Sequence, residues 1–445
     1  MSERPATRVG RRVLAGLTAA ALVVAAGFAA LAWRPAIAPA TASVPFEAGL
    51  VARGRELALL GNCNTCHGDA EGDGFAGGRP VATPFGTIYA TNITPDPATG
   101  IGTWSEAAFA RSMREGVDRE GRHLYPAFPY DHYTKTTDAD LSALYAFLMT
   151  REPVRREAPE PELPFPLNLR PLLAGWKLLF LRGGPDRPDP ARGEAWNRGA
   201  YLVEGLGHCG GCHTPRNALG AEIASRRYEG GEAENWWGPP LAAGSPAPVP
   251  WTEASLFAYL RDWDGKHGGA VGPMAPVTHN LSQVPEADVR AMAVYVASLM
   301  GSPSAERLAR TEAIASQTDA ASTPAAREGE RVYAGACAVC HASGGLVPYT
   351  VGSLAYHTTL AGPDPRNVIQ VVLHGVQPRE GAVGAIMPGF AASLTDRQVA
   401  DLLAYLRARF SGGPPWTDVE RHVREIRRGV EPTSGPGVRT AGSGP

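Results

Sequence analysis

Residues 13–33 form an unbroken uncharged run of 21 residues, nine of them alanine, bounded by Arg12 and Arg34. The apolar core of a cleaved signal peptide is about 7–15 residues, whereas a membrane-crossing helix needs about 20. The length therefore predicts an N-terminal membrane anchor. Arg4, Arg8, Arg11 and Arg12 precede the run; basic flanks stay in the cytoplasm, which sends the rest of the chain out. The competing reading is a cleaved leader, for which Ala40-Thr41-Ala42 offers a small-residue site.

Downstream, apolar residues recur at spacings of three and four in three places. They are Leu141, Leu144, Tyr145 and Leu148; Val289, Met292 and Val296; and Val399, Leu402, Leu403 and Leu406. Each set predicts an amphipathic helix that closes a repeated unit. Each unit opens with a short helical pattern containing a glycine, at Arg53-Gly54, Arg198-Gly199 and Glu328-Gly329. A second helix is predicted to start at Trp104-Ser105-Glu106 and Trp251-Thr252-Glu253, where Ser or Thr suits an N-cap. The third, shorter unit has Asp364-Pro365-Arg366-Asn367 in that place.

The repeat divides the chain into three helical units, 46–150, 193–300 and 326–411, behind the N-terminal segment 1–45. Each has the size of one small domain. Residues 151–192 read as a proline-rich connector and 301–325 as an exposed linker that leaves the third unit mobile. The connector contains an apolar stretch, Trp176-Lys177-Leu178-Leu179-Phe180-Leu181, too short to span a bilayer. It reads as packing between units, or else as contact with a membrane surface or a partner. In the tail, 412–445, Trp416, Val419, Val423, Ile426 and Val430 predict an amphipathic helix folded onto the third unit. Residues 431–445 read as disordered.

Composition narrows the function. Lys+Arg 42 against Asp+Glu 44 leaves a net charge of −2, so the chain is no basic nucleic-acid binder. The hydrophobic fraction of 44% suffices for ordinary cores, and the 52 glycines and 40 prolines promise loops. Only 11 histidines and 6 cysteines are present, so their placement carries the chemistry.

All six cysteines fall in one pattern: Cys63-Asn-Thr-Cys66-His67, Cys209-Gly-Gly-Cys212-His213 and Cys337-Ala-Val-Cys340-His341. C-x-x-C-H is the attachment motif for c-type haem. Two thiols three residues apart reach the two vinyl groups of one porphyrin, and the next histidine lies under the iron. Zinc sites pair such units about 15–20 residues apart; here the gaps are 143 and 125 residues. A thioredoxin-like pair explains neither the histidine nor three copies. The expectation is three covalently bound haem c groups, with His67, His213 and His341 as proximal iron ligands.

A low-spin haem takes a second axial ligand, usually Met or His. Met274 lies 61 residues after His213 in Gly-Pro-Met-Ala-Pro, and Met387 lies 46 after His341 in Ile-Met-Pro-Gly-Phe. Both are expected to ligate iron from proline-containing loops. The first unit breaks the pattern, because Phe128 stands 61 residues after His67. Either that haem is five-coordinate or another residue reaches it. His132 is the leading candidate, ahead of His123 and Met113. His208, His267, His279, His357, His374 and His422 read as neighbours, surface or structural residues.

Three such units, together with Thr91-Asn92-Ile93-Thr94-Pro95, Gly100-Ile101-Gly102-Thr103-Trp104 and Arg198-Gly199-Ala200-Tyr201-Leu202-Val203-Glu204, resemble the triple-haem cytochrome c subunits of bacterial membrane-bound dehydrogenases over residues 46–411. The resemblance implies an all-α fold of three tandem class I cytochrome c domains behind an N-terminal membrane anchor, on the periplasmic side. It implies an electron-transfer subunit, not an enzyme on its own. Electrons would come from a catalytic dehydrogenase subunit and pass to ubiquinone or a terminal oxidase. Cytochromes of quinoprotein alcohol dehydrogenases have methionine where Phe128 stands. The Ala127-Phe128-Pro129-Tyr130 form, followed by Asp131-His132-Tyr133-Thr134, and the tail Pro415-Trp416-Thr417-Asp418-Val419-Glu420 are more similar to cytochromes serving molybdenum hydroxylases. Those partners have molybdopterin and iron–sulfur subunits and oxidise aldehydes or N-heterocycles such as nicotinate. The competing expectations are a partner that uses pyrroloquinoline quinone or flavin to oxidise alcohols or sugars, and a peroxidase-like haem enzyme with an open first haem.

Overall fold

The computed structural model describes residues 8–40, 45–68, 74–185, 187–316, 324–342, 353–377 and 386–429. Arg4, Thr41, Ala42, residues 317–323 of the expected linker, Val430 and residues 431–445 lie outside them.

Helix α1 (Arg8–Ala32) carries the apolar run. Its segment Val13–Ala32 is long and apolar enough to cross a membrane, and none of it is buried against the rest of the chain. The first unit follows with α2 (Ala48–Leu60), α3 (Cys63–His67), a hairpin of β1 (Pro80–Thr83) and β2 (Gly86–Tyr89), α4 (Glu106–Glu115), α5 (Tyr130–Tyr133) and α6 (Asp138–Met149). Within the connector lies α7 (Leu173–Phe180). The second unit contains α8 (Glu194–Glu204), α9 (Gly210–His213), a hairpin of β3 (Gly231–Ala233) and β4 (Trp236–Gly238), α10 (Glu253–Arg261), a minimal ladder of β5 (Trp263–Asp264) and β6 (Gly268–Gly269), α11 (Met274–Leu281) and α12 (Glu286–Met300). Helix α13 (Ala305–Ser316) leads to the third unit, with α14 (Pro324–Ala336), α15 (Ala338–His341), α16 (Thr358–Ala361), α17 (Arg366–His374) and α18 (Asp396–Phe410). The tail helix is α19 (Val419–Gly429).

The helix starts follow local chemistry. Ser105 caps α4 by accepting from the Ala108 amide at 3.2 Å, and Thr252 with Ser255 forms a capping box on α10. Asp364 Oδ1 accepts from the Arg366 amide at the start of α17. Such caps satisfy amide groups that the first helical turn leaves free.

In each unit the first and last helices cross at the glycine. A Cβ on Gly54 would overlap the Ala143 carbonyl, one on Gly199 the Ala291 carbonyl, and one on Gly329 the Asp401 carbonyl. Phe147, Tyr295 and Tyr405 stand four residues farther along the closing helices and crowd the same spots. Glycine inside a helix costs about 1 kcal/mol against alanine; here it allows two backbones to touch.

Burial follows the predicted faces. Leu141, Leu144, Val289, Met292, Val399, Leu402 and Leu403 are all 2% exposed or less. One apolar cluster runs through the first two units, from Leu57 and Leu144 to Leu202, Leu206 and Met292. The third unit has its own cluster, and Val423 and Ile426 of α19 belong to it, so the tail helix does fold back.

Within the stretch expected to be an exposed linker, residues Ala305–Ser316 form a helix. α13 buries Thr311 and Ile314, Arg307 donates to the Ser245 carbonyl of the second unit at 2.9 Å, and Arg409 of α18 donates to the Ile314 carbonyl at 2.9 Å. The helix thus touches both the second and the third unit.

Candidate functional site

Each C-x-x-C-H is one turn of helix. The first sits on α3, entered through Asn62 in the left-handed conformation (φ 57°). In the other two, the His213 amide donates to the Cys209 carbonyl at 3.1 Å and the His341 amide to the Cys337 carbonyl at 3.0 Å. One turn places two sulfurs and an imidazole within reach of a single planar ligand. All six cysteines are free of disulfides.

Two of the three motif histidines are oriented from behind. His67 Nδ1 lies 2.6 Å from the Thr91 carbonyl, and His213 Nδ1 lies 2.7 Å from the Pro239 carbonyl. Donation through Nδ1 leaves the Nε2 lone pair for a metal and fixes the ring plane. Burial pushes both imidazole pKa values down, which keeps the rings neutral. His341 Nδ1 is buried and has no hydrogen-bond partner among the described residues. Paired free thiols beside an imidazole that burial keeps neutral fit a covalent haem c at each motif.

Met274 is the first residue of α11 rather than part of a loop, follows Pro273 directly, and packs against the shared core. Met387 is held by a bridge to Val376: its amide donates at 2.8 Å and its carbonyl accepts at 2.9 Å. Its side chain packs against the third core.

The side chains around Phe128 correct one expectation. His132 is buried at 6% exposure, and both its nitrogens are engaged. Nδ1 lies 2.9 Å from the Glu204 carbonyl and Nε2 lies 2.7 Å from Glu222 Oε1. A ring committed on both edges to the second unit has no lone pair to offer an iron at the first motif. His123 is committed too, with Nε2 2.9 Å from the Ala32 carbonyl and Nδ1 2.9 Å from Lys177 Nζ. Met113 is a buried core residue of α4. Phe128 packs on Tyr133, ring centroids 5.3 Å apart.

The fold brings the first two motifs together. His208, just before Cys209, lies with Nε2 3.3 Å from the Gly61 carbonyl, two residues before Cys63. Asn64, between Cys63 and Cys66, donates to Asn280 of α11 at 3.2 Å. Arg79 donates to the Thr65 carbonyl at 2.5 Å and reaches Glu234 at 3.4 Å. The hairpin β3–β4 lies on the second motif, where Gly238 passes over the Cys212 carbonyl. Its other edge meets the third unit. Asn367 Oδ1 accepts from the Trp237 amide and its Nδ2 donates to the Trp237 carbonyl, both at 2.8 Å.

Glu204, which the sequence offered only as the end of the Arg198–Glu204 motif, is a structural centre. Its buried carboxylate accepts from Tyr228 at 2.9 Å and Tyr295 at 2.6 Å, and ion-pairs with Arg227. The available signal was an acid among Leu202, Val203 and Leu206. The backing carbonyls of Thr91 and Pro239 have no side-chain signature at all.

Similarity to known proteins agrees with this geometry. The family described as "Cytochrome c" matches residues 51–152, and that described as "Cytochrome C oxidase, cbb3-type, subunit III" matches residues 324–406. The chain is 48% identical to a subunit of the nicotinate dehydrogenase of Pseudomonas putida over 93% of its own length, but spans only 35% of that relative. It is 37% identical to the gluconate 2-dehydrogenase cytochrome c subunit of Pantoea cypripedii, covering 85% of this chain and 90% of the relative. It is 33% identical to the fructose dehydrogenase cytochrome subunit of Gluconobacter japonicus, covering 85% and 83%. With covalent haem sites of this kind and relatives matched along most of their length, the chain belongs to the cytochrome c subunits of membrane-bound dehydrogenases, which transfer electrons for a separate catalytic partner.

Proposed function

We propose that the chain holds three covalent haem c groups, one in each of three cytochrome c domains, and conducts electrons from a periplasmic dehydrogenase to ubiquinone or a terminal oxidase. The observation that carries the count is the threefold recurrence of C-x-x-C-H, each on one helical turn. Haem c supplies one-electron chemistry. The chain's residues attach, orient and enclose it. Cys63, Cys66, Cys209, Cys212, Cys337 and Cys340 provide the thioethers, and His67, His213 and His341 the proximal nitrogens. Met274 and Met387 provide sulfur on the opposite faces.

For the partner we favour a molybdenum hydroxylase with molybdopterin and iron–sulfur subunits, acting on an aldehyde or N-heterocycle. Phe128 and the higher identity to a nicotinate dehydrogenase subunit than to the fructose and alcohol dehydrogenase subunits support this reading. A partner using pyrroloquinoline quinone or flavin is the competing case. Metal analysis of the complex, drawn from detergent-solubilised membranes through this chain, separates them. Molybdenum, with iron beyond that of the haems, is expected; haem iron without molybdenum would overturn the choice.

The N-terminal helix serves as an uncleaved anchor with the haem domains on the periplasmic side. Backbone just after α1 is tied to the first unit: the Ile37 amide donates to the Arg119 carbonyl at 2.8 Å, and Arg111 donates to the Pro35 carbonyl at 2.7 Å. Cleavage near residue 40 would discard those bonds.

A second reading, an open first haem that binds small ligands, draws on Phe128 and on the commitment of His132 to Glu222. A high-spin ferric component that disappears on adding cyanide supports it; a wholly low-spin spectrum removes it.

A further inference from the structure

Outside α1, ten large apolar side chains stand exposed among the described residues, and six of them lie in residues 165–179. Phe165 is 79% exposed, Leu178 65% and Leu179 56%, with Leu167, Leu169 and Leu172 above 40%. A soluble protein rarely gathers so many in one place without a partner for them.

Their position names the partner. Helix α7, which carries Leu178 and Leu179, packs against α1. One histidine joins the two: His123 Nε2 faces the Ala32 carbonyl at 2.9 Å, and His123 Nδ1 meets Lys177 Nζ at 2.9 Å. Ala32 is the last residue of α1, and the exposed Trp33 follows it. An aromatic residue there suits the level where a spanning helix leaves the hydrocarbon. Lys177 turns inward, donating to the Gly116 carbonyl at 2.5 Å, so its leucine neighbours turn out. Trp176 and Lys177 both pack on Tyr130, and Tyr130 packs on Phe128.

We propose that residues 165–179 form a monotopic membrane-contact surface, continuous with α1, whose leucines and Phe165 sit in the phospholipid headgroup boundary. Apolar faces of this kind settle about 5–10 Å into that boundary. Two attachments, one spanning and one lying on the surface, fix the orientation of the first unit where a single helix would let it swivel. They also place the Phe128 side of the first haem motif two side chains from lipid. The proposal rests on α1 being inserted in the membrane, and the test separates the two.

The haem-loaded full-length chain is reconstituted in nanodiscs with lipids brominated near the headgroup end. Single cysteines at Val24→Cys, Leu167→Cys, Leu178→Cys and Arg290→Cys carry a fluorophore that bromine quenches. Severalfold quenching is expected at 24, 167 and 178 and none at 290, which lies on α12. Quenching at 24 without 167 and 178 overturns the surface while keeping the anchor. No quenching at 24 removes the anchor and the surface with it. Protection of 167 and 178 only on adding the dehydrogenase subunit would assign the patch to that partner instead. The pair Leu178→Asp and Leu179→Asp, at exposed positions, is expected to reduce quenching at 167 while the haem spectrum stays unchanged.

Discussion

His132 Nε2 and Glu222 Oε1 lie 2.7 Å apart across the junction of the first two units, and His132 Nδ1 faces the Glu204 carbonyl of the second unit at 2.9 Å. The residue best placed by spacing to reach the first iron is thus a junction residue. His132→Phe is expected to leave the spectrum of the first haem unchanged. It should cost about 1–3 kcal/mol by stranding buried polar groups, measured by denaturant unfolding of the haem-loaded chain. A loss of low-spin character in that variant would restore His132 as a ligand.

The same pair predicts acid sensitivity. Burial alone would raise the Glu222 pKa, but the hydrogen bond and charge of His132 hold it below the ordinary 4.5. A depressed folded pKa contributes stability above the unfolded value, and that stability is lost as pH falls through the folded one. The unfolding free energy should therefore decline below about pH 4.5, and less steeply in Glu222→Gln. Equal slopes would show that the pair contributes nothing.

Haem count is checked motif by motif. Substituting both cysteines of one motif with serine, in three separate variants, is expected to lower the haem-to-chain ratio by one each time. Quantitative haem absorbance against protein mass measures it. An unchanged ratio would disqualify that motif.

Met387→Leu should lower one midpoint in a redox titration, because thioether ligation raises haem potential. The shift is expected to be a fraction of the roughly 0.8 V that axial ligands command. Unchanged midpoints would leave Met387 as core packing.

Gly199→Ala is expected to destabilise by about 1–3 kcal/mol, since the new methyl meets the Ala291 carbonyl and the Tyr295 side chain. Gly335→Ala is the contrast. Nothing lies within 4 Å of its added Cβ, so it should stabilise by about 0.5–1 kcal/mol. Thermal unfolding of the two variants decides between backbone contact and mere helix propensity.

Much of this protein was legible along the chain because it depends on neighbours in sequence. A C-x-x-C-H works within one helical turn, so the spacing alone pointed to three short helices that carry the proposed haem residues. Leu141 and Leu144, or Leu402 and Leu403, advertise a buried face because helical period is local. Ser105 and Thr252 mark helix starts for the same reason. What needed the tertiary structure depends on distant segments meeting. Nothing near residue 199 says that its glycine will touch the Ala291 carbonyl. Nothing near residue 367 says that Asn367 will clasp the Trp237 backbone and join the third unit to the second. Part of the expected linker, α13, is anchored because its two buried residues, Thr311 and Ile314, find partners on separate units. His132 shows the difference in one side chain. Sequence places it four residues from Phe128, within reach of an iron. Packing turns it to Glu222, ninety residues away, because a buried imidazole takes the acceptors that the fold puts beside it.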